Sequence, residues 1–285
     1  MKSIFLRSPA KINLCLKVLN KRPDGYHDLS TLFEKISLYD DLRFVLTSSG
    51  KIRIFCDHPS IPCGPKNLIY KAARMLQMDF GISQGVDIHL TKRIPVAAGL
   101  AGGSSNAAST LLGLNKLWHL HLPPKTLIAY AKRLGSDVPL FIYKYNFCIG
   151  TGRGDRIRKV RINKKLWHVI ITPRLKVYSG EVFRAVKRKL TKRNDNANIL
   201  THELRKKDLR KVSQFLSNDL EAAIVRVHPQ LRTIKNNIQR ISGLDVCFSG
   251  SGPSIFGLVP TRKKAQVIAE KLGRHYAYVV VVRTL

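Results

Sequence analysis

Alternating polar and apolar positions mark Lys51–Cys56 and Val86–Ile94 as half-buried strands. Between them, Pro65–Met78 carries a helical repeat. Leu68, Ile69, Ala72, Ala73 and Leu76 share one face, and a proline stands near the first turn. Ser104–Trp118 repeats the pattern with Ala107, Leu111, Leu114 and Trp118. Lys125–Leu134 predicts a third helix, closed by Gly135. In the second half His168–Thr172 reads as a strand, followed by helical patterns at Gly180–Leu190, Leu209–Leu216 and Gln230–Ile241. Two short strands, Asp245–Phe248 and Ser254–Val259, flank a glycine turn. A helix at Arg262–Leu272 ends at Gly273, and Tyr278–Val282 reads as a buried strand. This mixture predicts an α+β protein in two parts, 1–153 and 154–285, divided within the Gly- and charge-rich stretch Gly150–Ile157.

Composition narrows the class. The 285 residues are 44% hydrophobic and 24% charged, which suffices for a core without disulfide or metal support. No apolar run approaches the roughly 20 residues needed to cross a bilayer. Arg7, Lys11 and Lys17 interrupt the first residues, against a secretory signal. The cysteines (Cys15, Cys56, Cys63, Cys148, Cys247) are odd in number and form no CxxC pair. That argues for a reducing, cytoplasmic setting and for all five as small buried apolar residues. No metal ligand is marked. The formal net charge is +32; residues 1–150 carry 20 Lys and Arg against 9 Asp and Glu, and residues 151–285 carry 30 against 9. Such a field attracts polyanions. Nucleic acid and nucleotide substrates are candidates, and a general basic bias with no specific partner is the preferred reading, so no nucleic-acid partner is expected despite the charge. The clusters, Lys187-Arg188-Lys189, Lys192-Arg193, Arg205-Lys206-Lys207 and Arg262-Lys263-Lys264, lack interleaved aromatics, so a single-strand stacking platform is not evident.

The strongest local signal is the run Pro95, Val96, Ala97, Ala98, Gly99, Leu100, Ala101, Gly102, Gly103, Ser104 and Ser105, set between a predicted strand and a predicted helix. Its glycines permit close backbone approach and its serines supply hydroxyls. The start of the following helix presents unpaired N–H groups, and Lys92 adds charge. This is an anion site suited to a triphosphate. It lacks the lysine of a GxxxxGK[ST] loop and the spacing of a dinucleotide fingerprint. A small-residue helix packing closely on a strand is the structural alternative.

Other segments bear on that choice. Ser8-Pro-Ala-Lys-Ile-Asn-Leu14, Arg22-Pro-Asp-Gly-Tyr-His27, Gly135-Ser-Asp-Val-Pro-Leu-Phe141, Asn218-Asp-Leu-Glu221 and Phe248-Ser-Gly-Ser-Gly-Pro-Ser254 occur in this order. The set resembles the GHMP kinases, which include galactokinase and the homoserine, mevalonate and phosphomevalonate kinases. The resemblance runs from about Ser8 to Val259. It implies a two-domain α+β fold: an N-terminal domain with an unusual left-handed βαβ crossover, a ferredoxin-like C-terminal domain, and an active site in the cleft between them. It also implies ATP as co-substrate, as its magnesium complex, and a cytidine-diphosphate-linked polyol as acceptor.

The family's catalytic pair falls on Lys11 and Asp137. An alcohol is a poor nucleophile at neutral pH, so a carboxylate that takes its proton helps, and an ammonium stabilises the developing charge. Taken alone, Asp137 reads as a turn or cap residue and Lys11 as a solvated lysine on an edge strand. Tyr26 and His27 correspond to the family's cytidine-binding pair, Phe183 to a second aromatic, and Asn13 to a position near the acceptor alcohol. Asn67 matches a position near the adenosine, although it also suits a helix cap. Ser249, Gly250, Ser251 and Gly252 form the family's third motif; a plain hairpin connection is the alternative. Asn106 stands where many relatives carry Asp. Ala97, Ala98 and Ala101 stand where some carry Gly. A kinase for a smaller alcohol of the mevalonate or homoserine type is the competing enzyme reading, and a basic nucleic-acid-binding protein the competing reading of another class.

Overall fold

The computed structural model describes residues 2–186, 196–206 and 209–285. The basic runs 187–189 and 192–193 and the end of the helix expected over Gly180–Leu190 lie outside them. In chain order the elements are β1 (Ser3–Lys21), β2 (His27–Thr47), β3 (Ile52–Cys56), α1 (Leu68–Asp79), β4 (Gly85–Thr91), α2 (Gly102–Leu117), α3 (Pro124–Leu134), α4 (Val138–Ile142), β5 (Phe147–Gly152), β6 (Arg156–Val160), β7 (Trp167–Ile171), α5 (Ser179–Arg184), α6 (Asn196–Arg205), α7 (Leu209–Gln214), β8 (Ser217–Asn218), α8 (Glu221–Val227), α9 (Gln230–Ser242), β9 (Val246–Phe248), β10 (Ile255–Val259), α10 (Arg262–Gly273) and β11 (Val279–Arg283).

The chain forms two compact units. The first comprises residues 1–10, 38–95 and 101–144; the second comprises 11–37, 96–100 and 145–285. The strands β1 and β2 therefore contribute to both. The expected division at 153/154 falls in the antiparallel β5–β6 hairpin, inside the second unit.

In the first unit, Asp41–Thr47 of β2 pairs antiparallel with β4, and β4 pairs parallel with β3. The parallel pair needs a crossover, which α1 supplies. Asn67 starts α1 by accepting the Ile69 N–H at 2.9 Å, so the helix begins after Pro65 rather than around it. α2 is buried on nearly every face, from Gly102 and Ser105 through Ala107, Ala108, Leu111 and Gly113 to Leu117. At Gly113 a Cβ would come within 2.9 Å of the Phe44 ring, so glycine there lets α2 approach β2.

In the second unit, β7, β9, β10 and β11 form an antiparallel sheet in the order β11-β7-β10-β9. The helices between β7 and β9, the β9–β10 hairpin and the crossover through α10 complete a βαββαβ path, the ferredoxin-like arrangement. Val169, Ile171, Val246, Phe248, Ile255 and Val259 join Ile224, Leu231, Ile238, Ile268 and Leu272 in its core, together with Leu16 and Val18 of β1. None of the five cysteines is in a disulfide. Cys15, Cys148 and Cys247 are buried, but Cys63 is exposed and Cys56 is half-buried, which corrects the expectation that all five are core residues.

Buried polar groups fasten this unit. The Glu34 carboxylate takes one hydrogen bond from the His168 ring at 2.9 Å and one from the Thr284 hydroxyl at 2.5 Å. Thr284 in turn accepts the Leu166 N–H at 2.8 Å. All three side chains are shielded from water. Removing the carboxylate leaves two buried groups unpaired, so Glu34→Ala is expected to lower unfolding free energy by about 3 kcal/mol or more. Urea denaturation of the variant beside the wild type measures it.

Candidate active site

Lys11 is the first candidate fixed by the fold. β1 carries it into the interior of the second unit, where only 4% of its surface remains exposed. The solvated edge lysine is thereby excluded. Its ammonium donates to Asn13 Oδ1 at 2.7 Å and lies 5.5 Å from the Phe33 ring centre. Asn13 donates onward to Thr31 Oγ1 at 2.8 Å, and the Thr31 hydroxyl donates to the Cys15 carbonyl at 2.7 Å. The lysine head is thus held by a chain of hydrogen bonds across β1 and β2.

The loop segment 96–100 belongs to the same unit. Four of its carbonyls in succession are engaged: Ala97 accepts from Val177 N–H at 3.3 Å and Ala98 from Ser254 N–H at 3.3 Å. Gly99 accepts from Ser249 Oγ at 3.0 Å, and Leu100 from Lys11 N–H at 3.1 Å. In a trans peptide the N–H points opposite to the carbonyl it shares a plane with. Turning four carbonyls toward the protein therefore aims the amides of 98–101 the other way. Among the described residues no hydrogen bond is donated by the amides of Ala98, Gly99 or Leu100. Such a row of amides is an anion-binding surface.

Ser249–Gly252 packs directly on this loop. A Cβ on Gly99 would stand 2.0 Å from the Ser249 carbonyl oxygen. One on Gly250 would stand 3.3 Å from Lys11 Nζ, 3.4 Å from Asn13 Oδ1 and 3.3 Å from the Gly99 carbonyl. Lys11, Asn13, Gly99 and Gly250 therefore surround one point. Asn218 supports the turn from behind, donating to the carbonyls of Phe248 at 2.9 Å and Gly250 at 2.7 Å. Ser251 shares a hydrogen bond with Ser179 at 2.8 Å.

The aromatic candidates also meet in the second unit. The His27 ring stacks on Phe183 with centroids 5.7 Å apart and planes 26° apart. Tyr26 is 54% exposed, with the Arg153 guanidinium 4.9 Å from its ring centre. His27 Nδ1 is buried and carries no hydrogen bond. Burial, with Lys21 nearby, pushes the His27 pKa below its ordinary value.

The remaining candidates lie in the first unit. Pro95 ends one of its segments and Ala101 opens the next. Ala101 caps α2 in the left-handed conformation with no side-chain bond, so Gly102, Gly103 and Ser104 present first-turn amides. Ser105 Oγ and Asn106 Oδ1 are buried there without a hydrogen-bond partner. Lys92 is buried beneath, donating to Asp40 at 2.8 Å and to the Ile94 carbonyl. Burial pulls its pKa below the ordinary lysine value, and Asp40 opposes that pull. Asp40 also accepts the N–H groups of Arg93 and Ile94, each at 2.8 Å, which ends β4 at Thr91, three residues before the strand expected from the sequence. Asn67 makes its bonds as a helix cap and to the Pro62 carbonyl. Asp137 occupies the N-cap of α4 but its side chain does not cap it; Pro139 follows in the first turn.

Comparison with known proteins decides the family. Residues 67–145 match the model of the GHMP kinases N terminal domain, and residues 200–277 match that of the GHMP kinases C terminal region. The chain is 37% identical over 282 residues to the 4-diphosphocytidyl-2-C-methyl-D-erythritol kinase of Bacillus subtilis (strain 168), covering 99% of this chain and 97% of that one. The chain belongs to the GHMP kinases. The like-named kinase of Exiguobacterium sibiricum is 38% identical over 283 residues, covering 99% of this chain and 98% of its own. The crystal structure of a 4-(cytidine 5'-diphospho)-2C-methyl-D-erythritol kinase matches with a TM-score of 0.84 at 34% identity, over 99% of this chain and 100% of that one.

Two alanines of the loop of this GHMP kinase hold a backbone conformation usually left to glycine. Ala97 and Ala101 adopt φ of 52° and 56°, where a Cβ costs about 1–2 kcal/mol. The flanking hydrogen bonds hold them there. Sequence reading missed Thr31, Asp40 and Asn218 as supports. Asn218 stood in a quoted motif without a role, whereas Asp40 and Thr31 gave no local signal.

Gly99→Ala is expected to distort the loop, because the methyl overlaps a backbone carbonyl and the residue sits at φ 73°. Calorimetric titration with ATP should show at least a tenfold weaker affinity in a protein that still folds by circular dichroism. A proton NMR titration of His27 should give a midpoint below the ordinary value of about 6.5. Its neutral form is favoured on folding, so this histidine's contribution to stability is present above that value and is lost as pH falls toward the depressed midpoint.

Proposed function

We propose that this GHMP kinase transfers the γ-phosphate of ATP to the 2-hydroxyl of 4-diphosphocytidyl-2-C-methyl-D-erythritol, in the cytoplasmic non-mevalonate route to isoprenoid precursors. The observation that carries the choice of acceptor is the stacked His27–Phe183 pair with Tyr26 beside it. A pyrimidine can lie against such rings and hydrogen-bond an imidazole. A small acid such as mevalonate or homoserine needs no such surface. Relatives 37–38% identical over nearly the full length carry the same substrate in their names.

In this reading the triphosphate lies on the amides of Ala98–Ser104. Lys92 acts through Asp40, which fixes the approach to the loop. Asp137 takes the proton from the acceptor hydroxyl, and the Lys11 ammonium stabilises charge on the group in transfer. Asn13 holds Lys11 in place and bears on the acceptor. Magnesium suits the donor set as an ion carried on phosphate oxygens and water. The described residues contain no group of three or more His, Cys, Asp or Glu fit for a metal. Ser105 Oγ and Asn106 Oδ1 are buried, unpartnered oxygens next to the loop, and would hold the ion. When bound it neutralises phosphate charge.

Asp137→Asn is expected to reduce kcat about a hundredfold or more with little change in KM for either substrate. Coupled assay of ATP consumption with the diphosphocytidyl substrate measures this; near-normal turnover in a folded variant would remove Asp137 from the mechanism. Lys11→Met should lose activity to a similar extent. A panel including mevalonate and homoserine should show turnover with the cytidyl substrate alone.

A further inference from the structure

The second unit holds a half-open cavity of about 460 Å³ between the end of β7, α9 and the turn from α10 into β11. Its lining has two characters. Pro173, Ile234 and Ala277 make an apolar wall, while Arg174, Arg274 and His275 bring three basic side chains to it. Arg240 adds its field at the neighbouring Tyr276, whose hydroxyl is tied to the Ile234 carbonyl at 3.4 Å. Among the described residues one carboxylate is paired with these basic groups: Glu270, 3.6 Å from Arg274, both side chains 74% exposed. A pair so exposed neutralises little. Arg174 makes no ion pair or hydrogen bond among the described residues. None of the lining residues belongs to the phosphate loop or the third motif, so the cavity is separate from the site described above.

Its floor is nevertheless joined to that loop. Thr172 shares a hydrogen bond with Ser254 Oγ at 2.8 Å, and the Ser254 N–H is the donor that holds the Ala98 carbonyl. We infer that this cavity is a regulatory site for a small phosphate-bearing molecule, whose anionic end lies among Arg174, Arg274 and His275 and whose occupancy is felt by the loop through Thr172 and Ser254. Guanidinium forks are matched to phosphate oxygens, and an apolar wall beside them suits the ester carbon of such a compound. The regulatory half of this inference rests on the loop being the ATP site; the binding half does not.

Inorganic pyrophosphate is the probe. Calorimetric titration is run with a non-hydrolysable ATP analogue at saturation, so that the loop is already filled. Wild-type protein should bind pyrophosphate under these conditions, and Arg174→Ala/Arg274→Ala should bind it at least tenfold more weakly at an unchanged melting temperature. In steady-state assays pyrophosphate should change the KM for ATP by at least twofold more in the wild type than in the double variant. Direct competition at the loop affects both proteins alike and so drops out of that comparison. Equal binding by the two proteins, no binding beside the analogue, or identical KM responses would each overturn the proposal. Arginine-dependent binding by a protein that turns over no ATP would instead sink the catalytic reading and leave the anion site standing.

Discussion

The close approach of Gly99 to the Ser249–Gly252 turn is the contact on which the candidate chemistry depends. No side chain fits between the two backbones, since the Ser249 carbonyl already occupies the place a Cβ would take. Main chain thus rests on main chain. Hydrogen bonds from Val177, Ser254, Ser249 and Lys11 then seize four successive carbonyls of the loop. Each captured carbonyl fixes the direction of the next amide, so the loop's polarity is decided before any ligand arrives. Preorganised dipoles of this kind need no rearrangement when charge appears, which is the main electrostatic economy of phosphoryl transfer.

The same economy governs Lys11. Burying an ammonium is unfavourable unless its protons are satisfied. Here Asn13 satisfies one of them, and Asn13 is itself oriented by Thr31. A lysine free in water samples many rotamers. This one is ordered by folding.

Much of the second unit was legible from pattern alone. β7, α9, β9, β10, α10 and β11 appear within two residues of the expected bounds, because each is short and amphipathic, or wholly apolar. β1 and β2 were not legible. From Ser8 to Leu16 nearly every residue of β1 is buried, so the two-residue alternation that announces a strand is absent. The candidate site was legible as motifs, since glycine, serine and proline leave strong local marks. Its supports were not, because the bonds of Asp40 to Lys92 and of Asn218 to Gly250 join residues 52 and 32 positions apart. Asn67 shows the reverse case: the cap that local sequence allowed is the bond it makes.

Sharing β1 and β2 between units also limits how this kinase can be taken apart. Leu16 and Val18 are core residues of a unit most of whose chain lies after residue 144. A fragment beginning near residue 154 would leave their partners Val169, Phe248 and Ile255 facing water. The first half, expressed alone, would carry Leu16 and Val18 of β1 without the core residues that surround them. Neither half is therefore a self-sufficient module. Gene fusions, split reporters and recombination between relatives should succeed only where both ends of these strands are inherited together.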